Sequence, residues 1–314
     1  MKNAICLFTV CLILIGCGGK KASEMAWEFQ DSNISENIRS ISFGNGDHGW
    51  AVTENGSLLS TEDGGKTWEN YNISDKKLTA VAAVDDKTFW VAGEEGAIYT
   101  SMEGSKSVAD RSVDQDVDFV DMAFWNKDNG VIIGNRFDER DSVTYGTVFR
   151  TDNGGQNWSE VYVALDSVTC LYILGEQLGW IGTMGHVWTT SDAGANWEDN
   201  YLGSDISIND MHYDEFNSGW LVGDSGTFYS SQDGGWSWED RGGQFPNRDL
   251  SDIVFIDRFS GFIVGEGGMI MMSGDGGNSW QFDDNLTANT LHDIARDGNK
   301  VWICGDDGTI IFVH

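Results

Sequence analysis

Self-similarity constrains this chain more than any other feature. A short box returns five times in register, as STEDGGKTW, RTDNGGQNW, TTSDAGANW, SSQDGGWSW and SGDGGNSW, closing on Trp68, Trp158, Trp197, Trp238 and Trp280. All five fit Ser/Thr, any, Asp/Asn, any, Gly, any, Ser/Thr/Asn, Trp. A sixth copy has decayed, with Ser101, Glu103, Ser105, Ser107 and Val108 in the corresponding places. Repetition at this period implies one supersecondary unit copied around a ring or along a stack, because a single copy cannot bury its apolar face alone.

Between the boxes a second pattern recurs, a Gly-aromatic pair followed by small apolar residues, at Trp50, Trp90, Trp180, Trp220, Phe262 and Trp302, with Val131 in the same place. Ahead of each lies an alternating stretch such as RSISF, VDFVDMAF, INDMHY or SDIVFI. Each unit therefore reads as four short strands, the fourth starting at the box tryptophan. The spacing gives about 41 residues per unit for the 288 residues from Trp27 to His314, hence seven units. The last unit has only three strands, and the missing fourth stands at the other end, where WEFQD at Trp27 is similar to NWEDNY. A ring that borrows its last strand from the N-terminus leaves only short, protected edges. The expected fold is all-β, a seven-bladed β-propeller of four-stranded antiparallel blades, closed by pairing the N-terminal strand with the last blade.

Asp63, Asn153, Asp192, Asp233 and Asp275 are expected in the hairpin between third and fourth strands, where a short side chain accepts backbone N–H bonds and Gly supplies positive φ. The box tryptophans would each bury roughly 150–250 Å² between strands. Such loops offer too few oxygen ligands for calcium. No metal and no cofactor is expected.

The boxes resemble the Asp-box, or BNR, repeats of sialidases and related propellers. Seven units with box, Gly-aromatic strand and N-terminal closure are most similar to the photosystem II stability/assembly factor family and its bacterial relatives, over residues 25 to 314. That resemblance implies a non-catalytic binding or assembly module. The family is expected to bind chlorophyll-protein precursors through an arginine-rich patch, whereas the matching turns here are acidic and the chain has nine Arg.

The first residues carry a separate signal. An apolar run from Ala4 to Ile15 follows Lys2 and ends in Leu14-Ile15-Gly16-Cys17, which resembles a bacterial lipobox. Residues 1–16 are expected to be a lipoprotein signal peptide, 17–26 a tether lipidated at Cys17, and 27–314 the propeller. Gly18, rather than Asp, favours the outer membrane over the inner. Cys6 and Cys11 would leave with the signal, and Cys170 and Cys304 are expected as buried free thiols three blades apart.

Charge excludes other classes. Fifty Asp+Glu against 19 Lys+Arg give −31, incompatible with nucleic-acid binding through phosphate contacts. Membrane association is expected only through lipid on Cys17, and the body is expected to be monomeric.

Topology places the box hairpins with the first-to-second strand turns on one face of the ring, and the second-to-third turns with the blade links on the other. Binding is expected on that second, loop face. Its candidates are a partial carboxylate ring of Glu95 or Glu94, Asp224, Glu266, and Asp306 or Asp307, which would steer a basic partner, with Arg136, Phe137, Arg140 and Tyr145 on the long loop of the third unit as anchors. The partner would be an envelope protein or an extracellular ligand. The alternative reading is a glycoside hydrolase or glycan-binding protein of the Asp-box type. The Arg-Ile-Pro element of sialidases is absent, since Pro246 alone is present and follows Phe245. The histidines His48, His186, His212, His292 and His314 show no zinc spacing, and His186 alone is expected near the loop face.

Overall fold

The computed structural model describes residues 25–113, 116–283 and 286–314. The signal and lipid assignments, Cys17 included, lie outside them. Seven four-stranded antiparallel sheets account for the described body. Their first strands, β2 (Ile38–Phe43), β6 (Leu78–Ala83), β10 (Asp118–Phe124), β14 (Val168–Leu174), β18 (Asp210–Tyr213), β22 (Leu250–Phe255) and β26 (Leu291–Asp297), touch in cyclic order, with β26 packed back on β2. The fold is a closed seven-bladed propeller.

The closure is formed by β1 (Trp27–Asp31), which pairs with β28 (Thr309–Val313) from Trp27 opposite Val313 to Asp31 opposite Thr309. Ala26 and His314 exchange both backbone bonds, at 3.0 and 3.2 Å. Glu28 opposes Phe312 as Glu69 opposes Ser60, so Trp27 occupies the place of a box tryptophan.

The core lies between blades rather than within them. Each cluster of buried apolar residues draws on two neighbouring sheets, as where Trp50, Val52 and Leu58 meet Leu78, Phe89 and Val91. Aromatic rings set the spacing. The second-strand tryptophan of one blade stacks on the aromatic residue that ends the next blade's first strand: Trp302 on Phe43 at 3.7 Å, Trp180 on Tyr213 at 3.8 Å and Trp220 on Phe255 at 4.1 Å. The box tryptophan then meets that middle ring edge-on, Trp68 at 6.1 Å, Trp238 at 5.9 Å and Trp280 at 5.8 Å. Each such pair contributes about 0.5–1.5 kcal/mol beyond its buried area.

The box hairpins fit over these stacks. In the box at Trp68, Asp63 Oδ1 accepts from Thr67 N (2.9 Å) and Thr61 Oγ1 (2.9 Å), while Gly65 N donates to Thr61 Oγ1 (2.8 Å). The same bonds recur around Asn153, Asp192, Asp233 and Asp275. Gly155 has φ +71°, and a Cβ there would stand 2.1 Å from the Trp90 ring of the previous blade, so only glycine lets the hairpin close down. Each box also bonds the first-to-second strand turn beneath it, as Gly64 N does to Asp47 O (2.9 Å) and Gly234 N to Asn217 O (2.8 Å). These turns and the boxes therefore share one face.

Candidate binding site at the channel mouth

The seven first strands share a four-residue pattern: a buried apolar residue, a residue at a register shift, a small or acidic residue, and a second buried apolar residue. It reads Ile38-Arg39-Ser40-Ile41, Leu78-Thr79-Ala80-Val81, Phe119-Val120-Asp121-Met122, Val168-Thr169-Cys170-Leu171, Ile208-Asn209-Asp210-Met211, Leu250-Ser251-Asp252-Ile253 and Leu291-His292-Asp293-Ile294. In six blades the second residue is the extra one of a β-bulge; in the fifth, Asn209 stands just ahead of β18, its N–H bonded to Val222 O. A bulge re-aims its side chain, and here the re-aimed side chains converge on the loop-face end of the central channel.

Below them the channel wall is acidic, and its carboxylates tie neighbouring blades together. Asp121 accepts from Leu171 N at 2.9 Å, Asp210 from Ile253 N at 3.0 Å, Asp252 from Ile294 N at 2.5 Å and Asp293 from Ile41 N at 2.7 Å. The remaining joints use hydroxyls: Ser40 accepts from Val81 N at 3.2 Å, Thr79 donates to Phe119 O at 2.8 Å and Tyr172 donates to Tyr213 O at 3.0 Å. Every joint of the ring is thus latched at least once at the channel. These carboxylates were missed in the sequence.

Burial governs their protonation. It lifts Asp121 to about 8 and Asp210 to about 6. Asp252 is pushed well above the ordinary carboxylate range by burial and by the charges of Asp210 and Asp293 on either side, with both of which it hydrogen-bonds. His212, lower in the same 230 Å³ cavity with Arg296, is held down to about 3 by burial and is neutral. Cys170 and Cys304 are buried free thiols with raised pKa, which removes them as nucleophiles.

Above the carboxylates the mouth opens as a cavity of 400 Å³. Arg39, Thr79, Val120, Asn209, Ser251 and His292, all second residues of the pattern, line it, joined by Lys77, Glu94 and Asp118 from the rim. His292 Nε2 lies 3.2 Å from Arg39 Nη1 and 2.7 Å from Asp306 Oδ1. Asn209 Nδ2 donates to Asp224 Oδ1 at 2.8 Å, and Lys77 Nζ stands 3.5 Å from Glu94 Oε1. Both donors and acceptors line this opening. One expectation is corrected here: His186 is not the sole histidine near the loop face, because the bulge turns His292 into the mouth. His186 itself is engaged with Asp199 at 2.7 Å.

The rim turns hold the carboxylates read from the sequence. Asp224, Glu266 and Asp306 each open a short turn whose next residue has positive φ, namely Ser225, Gly267 and Asp307. In the second blade Glu95 takes the positive-φ place at +53°, so Glu94 is the equivalent of the other three. Two of the positive-φ residues are capped from the start of the next blade: Asp118 Oδ1 accepts from Glu95 N and Asp249 Oδ1 from Ser225 N, both at 2.9 Å. Glu95 also lies 3.7 Å from Lys76 Nζ.

The third blade's long hairpin joins β11 (Gly130–Asp138) to β12 (Val143–Thr151), with Arg136 opposite Tyr145. Arg136 pairs with Glu160 at 3.1 Å, Arg140 with Asp138, and Tyr145 donates to Asp141. Phe137, Val143 and Tyr145 are exposed at its end. These residues stand on the same face as the mouth but do not line it. Among the described residues, no group of three or more His, Cys, Asp or Glu could hold a metal ion.

Comparison with known proteins agrees with the fold. A family model described as photosynthesis system II assembly factor YCF48 matches residues 20–81. A Photosystem II assembly lipoprotein Ycf48 of Synechococcus sp. is 22% identical over 168 residues, 50% of this chain and 48% of its own length. A second of the same name, from Picosynechococcus sp., is 37% identical over 70 residues, 22% of this chain and 21% of its own. The match thus spans about half or less of these curated relatives. Among solved structures, one described as YCF48 bound to D1 peptide superposes with a TM-score of 0.77 at 20% identity, covering 91% of this chain and 96% of the other. YCF48 from Cyanidioschyzon merolae gives 0.75 at 18%, covering 92% and 98%. The WD40 propeller domain of Doa1 gives 0.70 at 10%, covering 91% and 96%. At such identities the superpositions speak for the fold.

Proposed function

Taking the chain as a photosystem II assembly factor-like BNR-repeat propeller, we propose that it is a non-catalytic assembly module, anchored in the bacterial envelope by lipid on Cys17, that holds an extended segment of an envelope protein at the channel mouth. The observation that carries this reading is the ring of re-aimed side chains. Arg39, Thr79, Val120, Asn209, Ser251 and His292 come from six blades and meet at one opening, which no folding requirement of a single blade explains. A relative described as bound to a D1 peptide supports a peptide as occupant, and relatives named lipoproteins support the anchor.

The rim selects the sequence around that segment. Glu94, Glu95, Asp224, Glu266 and Asp306 give the mouth an acidic border, so the partner carries basic residues beside the inserted stretch. Phe137 and Tyr145 on the long hairpin add an apolar contact to one side. Paired charge reversal of the acidic border, Glu94→Lys with Asp224→Lys, tests the reading by crosslinked pull-down from envelopes. Capture is expected to fall at least tenfold with the melting temperature unchanged. Undiminished capture by the folded double variant removes the mouth as the site.

A further inference from the structure

The box face carries a patch that partner binding at the mouth leaves unused. Trp236 in the fifth blade's box is 72% exposed and Phe216 in the turn beneath it 66%. The Gly234–Asn217 bond joins the two segments. Phe259, 36% exposed, stands in the matching turn of the sixth blade. Arg258 lies over both phenylalanine rings, 5.5 Å from Phe216 and 5.7 Å from Phe259, and makes no ion pair among the described residues. In a chain with 50 acidic residues, this guanidinium is left to two exposed rings. Amphipathic rings beside a long-stemmed cation suit the headgroup layer of a bilayer, where one end of each side chain is apolar and the other wet.

The course of the chain decides the occupant. Trp27 stands where a seventh box tryptophan would, and Ala26 pairs with His314 at that end of the blade. The polypeptide therefore joins the ring on the box face. The sixth blade, which carries Arg258 and Phe259, is its neighbour, since Trp27 packs edge-on against Phe262 at 6.3 Å. Cys17 precedes Met25 by eight residues, which span about 30 Å at full extension.

Resting on the lipid anchor proposed above, we infer that the box face is the membrane-facing side of the ring, with Phe216, Trp236, Phe259 and Arg258 seated in the headgroup layer and the channel mouth turned away from the bilayer. The net charge of −31 sets the lipid preference: the ring as a whole favours zwitterionic over anionic surfaces. Its affinity is low without the anchor, because a few interfacial side chains give only marginal binding alone.

The test uses the full-length lipidated protein on phosphatidylcholine/phosphatidylethanolamine vesicles. The two thiols of the ring are buried, so a fluorophore goes only to an introduced cysteine, at Gln232→Cys on the box face or Glu139→Cys at the tip of the loop-face hairpin. Flotation reads the anchor, and quenching by nitroxide-headgroup lipid reads the orientation. The expected result is at least threefold stronger quenching at position 232, reduced by adding Phe216→Ser and Trp236→Ser. Equal or reversed quenching in protein that floats overturns the orientation and leaves the anchor standing. Protein that does not float overturns the anchor, and the orientation falls with it.

Discussion

The aspartates at the rim of the ring and those at its centre do opposite things with the same side chain. At the outer hairpins Asp63, Asp192, Asp233 and Asp275 accept from residues within four positions, and those hydrogen bonds hold their carboxyls below the ordinary value despite partial burial. At the channel Asp121, Asp210 and Asp252 accept from the neighbouring blade some 40 to 50 residues away, and burial drives them above it. A local motif stabilises one turn and tolerates water. A cross-blade latch stabilises the closed ring, and it does so best when its carboxyl keeps a proton.

That contrast can be broken by substitution. The largest loss is expected for Gly155→Ala, where the added Cβ meets Trp90 at 2.1 Å on a backbone with φ +71°; overpacking with backbone strain costs about 3 kcal/mol, read from urea denaturation. Asp293→Ala strips the buried Ile41 N–H of its partner and should cost about 2 kcal/mol. Asp233→Ala loses its bonds to Ser237 and Ser231 at a wetter site and should cost about 1 kcal/mol. Equal losses at Asp293 and Asp233 would erase the distinction between centre and rim.

The smallest effect is the most diagnostic. Asp121 titrates near 8 when folded against 3.8 when unfolded, so between these values the folded chain holds a proton that the unfolded chain has released. Its contribution is complete below pH 3.8 and is lost as pH rises through 8. His212, held to about 3, is neutral in both states above roughly pH 7, so it adds no slope there. Melting temperature should therefore fall from pH 7 to 8.5, and Asp121→Asn should flatten the fall. An unchanged slope in that variant would place the ionisation elsewhere.

What was legible follows the same division. The boxes, the Gly-aromatic strands and the borrowed strand at Trp27 declare themselves because their chemistry is complete within a few residues and recurs at one period. The latches were present in the sequence as VDFVDMAF, INDMHY, SDIVFI and LHDIAR, where an aspartate stands two places after a buried apolar residue. Alternation alone assigns those strands one wet face, and a bulge, which leaves no fixed local signature, changes which side chain faces where. His292 was misplaced for this reason. The rim turns were legible as acidic Gly-rich hairpins, but the choice between Glu94 and Glu95 depends on which of them takes positive φ, and only the fold decides that.

The account centres on the channel mouth as the place where a partner is held, and a photo-crosslinking residue at Ser251, against one at Lys87 on the box face, tests it directly in intact envelopes. Ser251 is expected to yield a single dominant adduct, mapping to an extended segment of one envelope protein, while Lys87 yields none with that protein. A silent Ser251 beside a Lys87 that captures that partner would contradict it.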